Sequence, residues 1–167
     1  NMLHYYASGD EDKFKQFAGL LRRYPGTGTL VEYYTAKLEF NRGMYNNAYY
    51  SFYKLSAAEN EYRREALYHL GLISLYKQGN PSRALKYFEK IGKDEHADDL
   101  FVQKAMLLLA IDSHEKGDDK TCEGSLTRLI GNTSNLSMAV RAMNLYEHFG
   151  FYAQKKTKKA SQIEQKK

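Results

Sequence analysis

The sequence predicts an all-α fold: a solenoid of stacked antiparallel helix pairs. Three observations predict it. First, residues 66–91 carry two apolar stripes, one through Leu67, Leu70, Gly71, Ser74 and Leu75 and one through Ala84, Leu85, Phe88 and Ile91, with a turn at Gly79-Asn80-Pro81 between them. Both stripes have the i, i+3, i+4, i+7 spacing of amphipathic helices. Second, turn glycines recur at Gly9, Gly43, Gly79, Gly117 and Gly150, separated by 34, 36, 38 and 33 residues. Third, a small residue follows three of these glycines at a fixed distance (Ala48, Ala84, Cys122), and a large apolar one follows that (Phe52, Phe88, Leu126). A period near 34 residues marks a helical-pair array. One hairpin cannot bury its apolar face alone, so neighbours stack and share a core.

The elements follow in order. Met2 to Ser8 reads as the end of a first helix, with Leu3 and Tyr6 on one face and Gly9-Asp10 as its turn. A helix from about Glu11 to Arg23 directs Phe14, Phe17, Ala18 and Leu21 inward, and its early acids and late arginines suit the helix dipole. Tyr24-Pro25-Gly26 stops it, and Thr29 with Glu32 offers a capping box for the next helix. That helix, about 30–42, carries Val31, Tyr34, Ala36 and Leu38; its partner, 44–58, carries Tyr45, Ala48, Phe52 and Leu55. After Glu59-Asn60, helix 61–78 contains Leu67, Leu70 and Leu75. Asn80 caps the following helix and Pro81 suits its first position, where a missing N–H costs nothing; Gly92 closes it at Ile91. Residues 93–99 read as a polar linker with candidate caps at Asp94 and Asp98. Helix 99–116 is apolar nearly all round and is expected at the centre of the stack. Helix 119–130 ends at Gly131, and Ser134-Asn135 caps a helix of about 136–149 with Leu136, Val140, Met143 and Leu145 inward. Domain boundaries follow: an array over 1–150 and a basic terminal helix or tail over 151–167.

The run Gly43-Met44-Tyr45-Asn46-Asn47-Ala48 with Phe52, and Leu70-Gly71, Gly79, Ala84 and Phe88, resemble the tetratricopeptide repeat (TPR) family. The resemblance covers most of 3–150, as three full repeats (about 30–58, 62–91, 98–130) and terminal half-repeats. It departs from the pattern where Gly71 to Ala84 is one residue long and where Cys122 and Leu126 replace the usual alanine and aromatic. It implies a right-handed solenoid and a protein-binding scaffold. Leu20-Leu21-Arg22-Arg23-Tyr24-Pro25 followed by a new helix is similar, more loosely, to bacterial envelope TPR proteins such as the outer-membrane barrel-assembly lipoprotein and the Tol–Pal coordinator. That likeness implies the envelope or periplasm, with the cytoplasm as the alternative.

The chain has 167 residues, which suits one domain with a real core. Its single Cys122 excludes an internal disulfide framework and sits where a packed, inert thiol is expected. No apolar run reaches the length of a membrane span, and no stretch reads as a signal peptide. The chain opens at Asn1-Met2 inside an apparent helix, so an upstream segment is expected. The net charge of +5 sits in the tail, where six lysines face Glu164 alone; the array is neutral and carries no electrostatic bias toward nucleic acid.

No P-loop, G-x-S-x-G, H-E-x-x-H or dinucleotide fingerprint is present, so the reading is of a non-enzyme without cofactor or metal. His114-Glu115 with Asp118-Asp119 is the one candidate ligand cluster, and a solvated helix end accounts for it more simply. The better candidate is the inner groove that the family forms from the first helix of each pair. Alignment on the turn glycines places there Tyr33, Lys37, Phe40 and Asn41; then Tyr68 or His69, Leu72 or Ile73, Tyr76 and Lys77; then Lys104, Leu107, Ile111, His114 and Glu115; then Val140, Asn144, Glu147 and His148. Such an aromatic groove suits a peptide or amphipathic helix, with Tyr33, Phe40, Tyr68 and Tyr76 as anchors. The alternative is that several tyrosines pack between repeats. Lys37 and Asn41 do not match the carboxylate clamp of co-chaperone TPRs. Tyr49, Tyr50 and Tyr53 form a candidate outer patch for self-association. The functional expectation is therefore a protein-interaction scaffold that binds a partner segment. The alternative is a structural subunit of a bacterial envelope or motility assembly, joined through solenoid edges or the tyrosine face.

Overall fold

A computed structural model describes residues 2–92 and 99–153. All regular structure among them is helical: α1 (Met2–Ser8), α2 (Glu11–Leu21), α3 (Gly28–Asn41), α4 (Tyr45–Ser56), α5 (Arg63–Tyr76), α6 (Pro81–Gly92), α7 (Leu100–Glu115), α8 (Asp119–Asn132) and α9 (Leu136–His148). The chain forms two compact units, Asn1–Tyr87 and Phe88–Lys167.

The turn glycines that set the sequence period all adopt positive φ: Gly9 at 75°, Gly43 at 74°, Gly79 at 57°, Gly117 at 78° and Gly150 at 77°. Gly43 shows why. Its N–H donates to the Phe40 carbonyl at 3.0 Å and the Met44 N–H to the Glu39 carbonyl at 2.9 Å. That double bond pattern ends a helix through a left-handed residue, which only glycine adopts without strain. At Gly9, Gly79 and Gly117 the next residue caps the following helix: Asp10 accepts from the Lys13 N–H at 3.2 Å, Asn80 from Arg83 at 3.0 Å and Asp118 from Thr121 at 3.2 Å. One glycine and one capping residue thus close one helix and open the next.

In the first unit, α3 and α4 pack antiparallel. Glu39 meets Ser51 and Glu32 meets Lys54 across α3 and α4. Alternate helices lie side by side. Hydrogen bonds join Tyr33 to Glu65, Arg42 to Gly9, Asn41 to Tyr6 and Tyr49 to Tyr87, residues 32, 33, 35 and 38 positions apart. The repeat period of the sequence is therefore also the register of its lateral contacts. The core at the start of this unit is Met2, Phe14, Ala18, Val31 and Leu38, backed by Tyr5, Tyr6, Phe17, Leu21, Leu30 and Tyr34. Phe52 and Leu70 are fully buried further along. Each such side chain contributes roughly 1.5–3 kcal/mol through burial.

In the second unit, α7, α8 and α9 pack on one another around Val102, Met106, Cys122, Leu126, Leu129 and Met138. Arg128 donates to the Gly92 carbonyl, 36 positions away, at 3.5 Å. A Cβ on Gly92 would lie 3.0 Å from Leu109 Cδ1, so the close approach of Gly92 to α7 uses the missing side chain. Phe151, in a further turn of helix, is buried.

Several local expectations are corrected. Thr29 and Glu32 form no capping box: α3 begins at Gly28, and Thr27 turns its hydroxyl back to the Leu21 and Tyr24 carbonyls, while Glu32 pairs with Arg22 and Lys54. Helix 61–78 is shortened to α5, and its buried face is Ala66, Leu67, Leu70, Gly71, Ile73 and Ser74, with Leu75 half-buried. Helix α6 ends on Gly92, and Gly131 lies one residue inside α8 and does not end it. Asp94 and Asp98 fall outside the described residues; Asp99 caps α7, accepting from Phe101 at 2.8 Å and Val102 at 3.2 Å. Helix α7 buries one face, and Leu107, Leu108, Leu109 and Ile111 are half-exposed, so it is not enclosed all round. In α9 the buried face is Met138, Ala142 and Tyr146, whereas Leu136, Val140 and Met143 are exposed. The tail from residue 154 onward lies outside the described residues.

Candidate protein-binding face

The first unit brings most of the proposed groove residues together where α3 and α5 lie side by side. Tyr62 stacks on Tyr33 with ring centroids 4.1 Å apart, Lys37 reaches Glu65 at 3.1 Å, and the Phe40 and His69 rings are 4.6 Å apart. Residue numbers rise together on both helices, so α3 and α5 run in the same direction. Helical spacing explains the alignment: Tyr33, Lys37 and Phe40 share one face of α3, and Glu65 and His69 one face of α5.

A polar cluster closes this junction. The Tyr33 hydroxyl donates to Glu65 Oε2 at 2.6 Å, Lys37 Nζ donates to the Tyr33 hydroxyl at 3.0 Å, and His69 Nε2 lies 3.5 Å from Glu65 Oε1. Burial of Glu65 opposes its ionisation, but hydrogen bonds from His69, Tyr33 and Lys37 outweigh it and hold the carboxyl down at about 2. Burial pushes the Tyr33 hydroxyl up to about 12, with its bond to Glu65 adding to the shift. Burial opposes the charge on Lys37, yet its bonds to Tyr33 and Glu65 raise it above the ordinary lysine value. The His69 ring lies flat on Phe52, centroids 4.7 Å apart, and its Nδ1 is buried without a hydrogen-bond partner among the described residues. The cluster is an ionic junction in which Tyr33, Lys37 and His69 converge on one carboxylate.

This placement divides the proposed site. Tyr33 is only 8% exposed and belongs to the junction, not to a surface available to a partner. Asn41 donates to the Tyr6 hydroxyl at 3.2 Å, and Lys77 sits over the Tyr45 ring at 4.4 Å. Ile73 is buried and Leu72 half-buried, so the register of α5 turns Tyr68, Leu72 and Tyr76 outward. Phe40 and Tyr68 are half-buried, and Tyr76 is 68% exposed. Tyr76 is the proposed anchor with the most surface to offer. In the outer patch, Tyr49 is tied to Tyr87 at 2.7 Å, leaving Tyr50 and Tyr53 exposed one turn apart.

The remaining candidates lie in the second unit. Leu107 and Ile111 are half-buried on α7, and Val140, Asn144, Glu147 and His148 are exposed on α9. His114 stacks on Phe149 with centroids 3.8 Å apart and shares a 2.8 Å hydrogen bond with Asp119, while Asp118 is occupied as the α8 cap. Among the described residues no group of three His, Cys, Asp or Glu side chains could hold a metal ion. No helix among them is long and apolar enough to cross a membrane. Burial raises the Cys122 thiol to about 11.

Sequence reading missed Glu65. Its signal was a carboxylate 32 positions, about one repeat, from Tyr33, but a lone glutamate on a helix looks like any solvated one. No family model, curated protein or solved structure matches the chain.

Proposed function

We propose that the protein is a non-catalytic, TPR-like scaffold that binds a segment of a partner protein along the face shared by α3 and α5. The observation that carries this reading is the contrast on that face. An ionic junction fixes the two helices, and Tyr76 with half-buried Phe40 and Tyr68 presents aromatic surface beside it. Tyrosine offers contact area at little entropic cost, and a rigid platform lowers the cost of binding. The test is capture of partners from a lysate by the wild-type protein, Tyr76→Ala and Tyr50→Ala, read by mass spectrometry. A partner lost with Tyr76→Ala and kept with Tyr50→Ala supports the face. A partner held equally by all three rejects it.

A second reading is a structural subunit of a bacterial envelope assembly that self-associates through Tyr50 and Tyr53. It is favoured by their exposures of 70% and 55% on one side of α4. A molecular mass that rises with concentration, and does so less in Tyr50→Ala/Tyr53→Ala, supports it; a strict monomer removes it.

A further inference from the structure

A cleft of about 360 Å³ opens between α2, α3 and α4, on a different part of the first unit from Tyr76. That volume is at the lower end of small-ligand sites, with room for one extended side chain and some water. Phe14, Leu38 and Met44 supply apolar wall, and four charged side chains share the rest of the lining with Thr35 and Asn47. Three of those four are already engaged. Lys15 pairs with Glu11 at 2.5 Å, Glu11 also pairs with Arg42, and Arg22 leans toward Glu32 at 3.9 Å. Glu39 differs. Among the described residues its Oε2 accepts only from the Ser51 hydroxyl, at 2.9 Å, and Arg22 and Lys54 act on it from a distance. Burial is the main reason its carboxyl rises above the ordinary glutamate range. A carboxylate beside an apolar wall and without an ion-pair partner favours an incoming cation.

We infer that this cleft receives a lysine side chain of a partner protein, its methylenes against Phe14, Leu38 and Met44 and its ammonium on the Glu39 carboxylate. Lysine fits because it joins an apolar stem to a compact point charge, and one carboxylate matches one ammonium. The inference stands independently of the α3/α5 face, since it uses a different cleft and a different chemistry.

The test is titration of ¹⁵N-labelled protein with Nα-acetyl-lysine methylamide and, separately, with its norleucine counterpart, which keeps the stem and lacks the charge. Saturable shifts are expected at the amides of Thr35, Glu39 and Asn47 with the lysine compound only. Glu39→Gln, whose amide oxygen can still accept from Ser51, should weaken binding about tenfold. Equal response to both compounds, no response to either, or unchanged binding by Glu39→Gln would overturn the assignment. The comparison of the two compounds on the wild-type protein decides the matter even where the variant perturbs folding.

Discussion

Glu65 shows how one side chain can convert two amphipathic helices into a fixed pair. It accepts from Tyr33 at 2.6 Å and faces Lys37 at 3.1 Å and His69 at 3.5 Å, with a side chain only 14% exposed. Its carboxyl is held at about 2, below its ordinary 4.5, so the folded state prefers the ionised form. A depression of that size corresponds to stabilisation on the order of 3 kcal/mol. Because the folded value is the lower one, this contribution is complete above the unfolded value and disappears as pH falls from about 4.5 to about 2. Thermal melts of the wild type and Glu65→Gln should therefore differ most near neutral pH, with the gap narrowing across that acidic window. A gap independent of pH would mean that Glu65 acts through packing alone.

At the scale of the helix, the glycines separate into two kinds with opposite predicted effects. Gly43 has φ of +74°, and a Cβ added there would meet nothing nearer than a Tyr45 ring carbon at 3.8 Å, so alanine faces backbone strain and not a clash. Gly43→Ala should cost roughly 1–2 kcal/mol. Gly19 lies inside α2 with open space around it, so Gly19→Ala should stabilise by about 0.5–1 kcal/mol. Urea unfolding of the two variants checks both signs, and equal effects would contradict the turn assignment. The same distinction explains what the sequence made legible. Gly43, Gly79 and Gly117 recur at the repeat period and mark real turns, which is why helix existence and order could be read. Choice of face was harder where a helix is apolar on two sides. In α9, Met138-Ala142-Tyr146 and Leu136-Val140-Met143 both have helical spacing, and only packing onto α8 selects the first. Tyr33 and Tyr34 pose the same problem as adjacent tyrosines. Glu65 secures Tyr33 into the α3/α5 junction, and that long-range contact has no local signature.

For the molecule as a whole, helices within each of its two units pack chiefly on their sequence neighbours, so local damage should be readable by a local probe. Cys122 is such a probe in the second unit. It is the only thiol in the chain, it is fully buried, and burial raises it to about 11, so the native thiol is both shielded and protonated. Thiolate is the reacting species, so an aromatic disulfide reagent should label Cys122 only when the α7–α8–α9 packing opens. Leu126 lies one turn further along α8 and is also fully buried. Leu126→Ala removes core volume at a cost of roughly 2–5 kcal/mol, which raises the open population by a factor of about 30 or more. Where reclosing outpaces labelling, the native-state rate should rise by that same factor, while the rate in denaturant stays unchanged. Rapid labelling of the wild type under native conditions would instead mean that Cys122 is reached without opening the core, and the packed role assigned to it would fall.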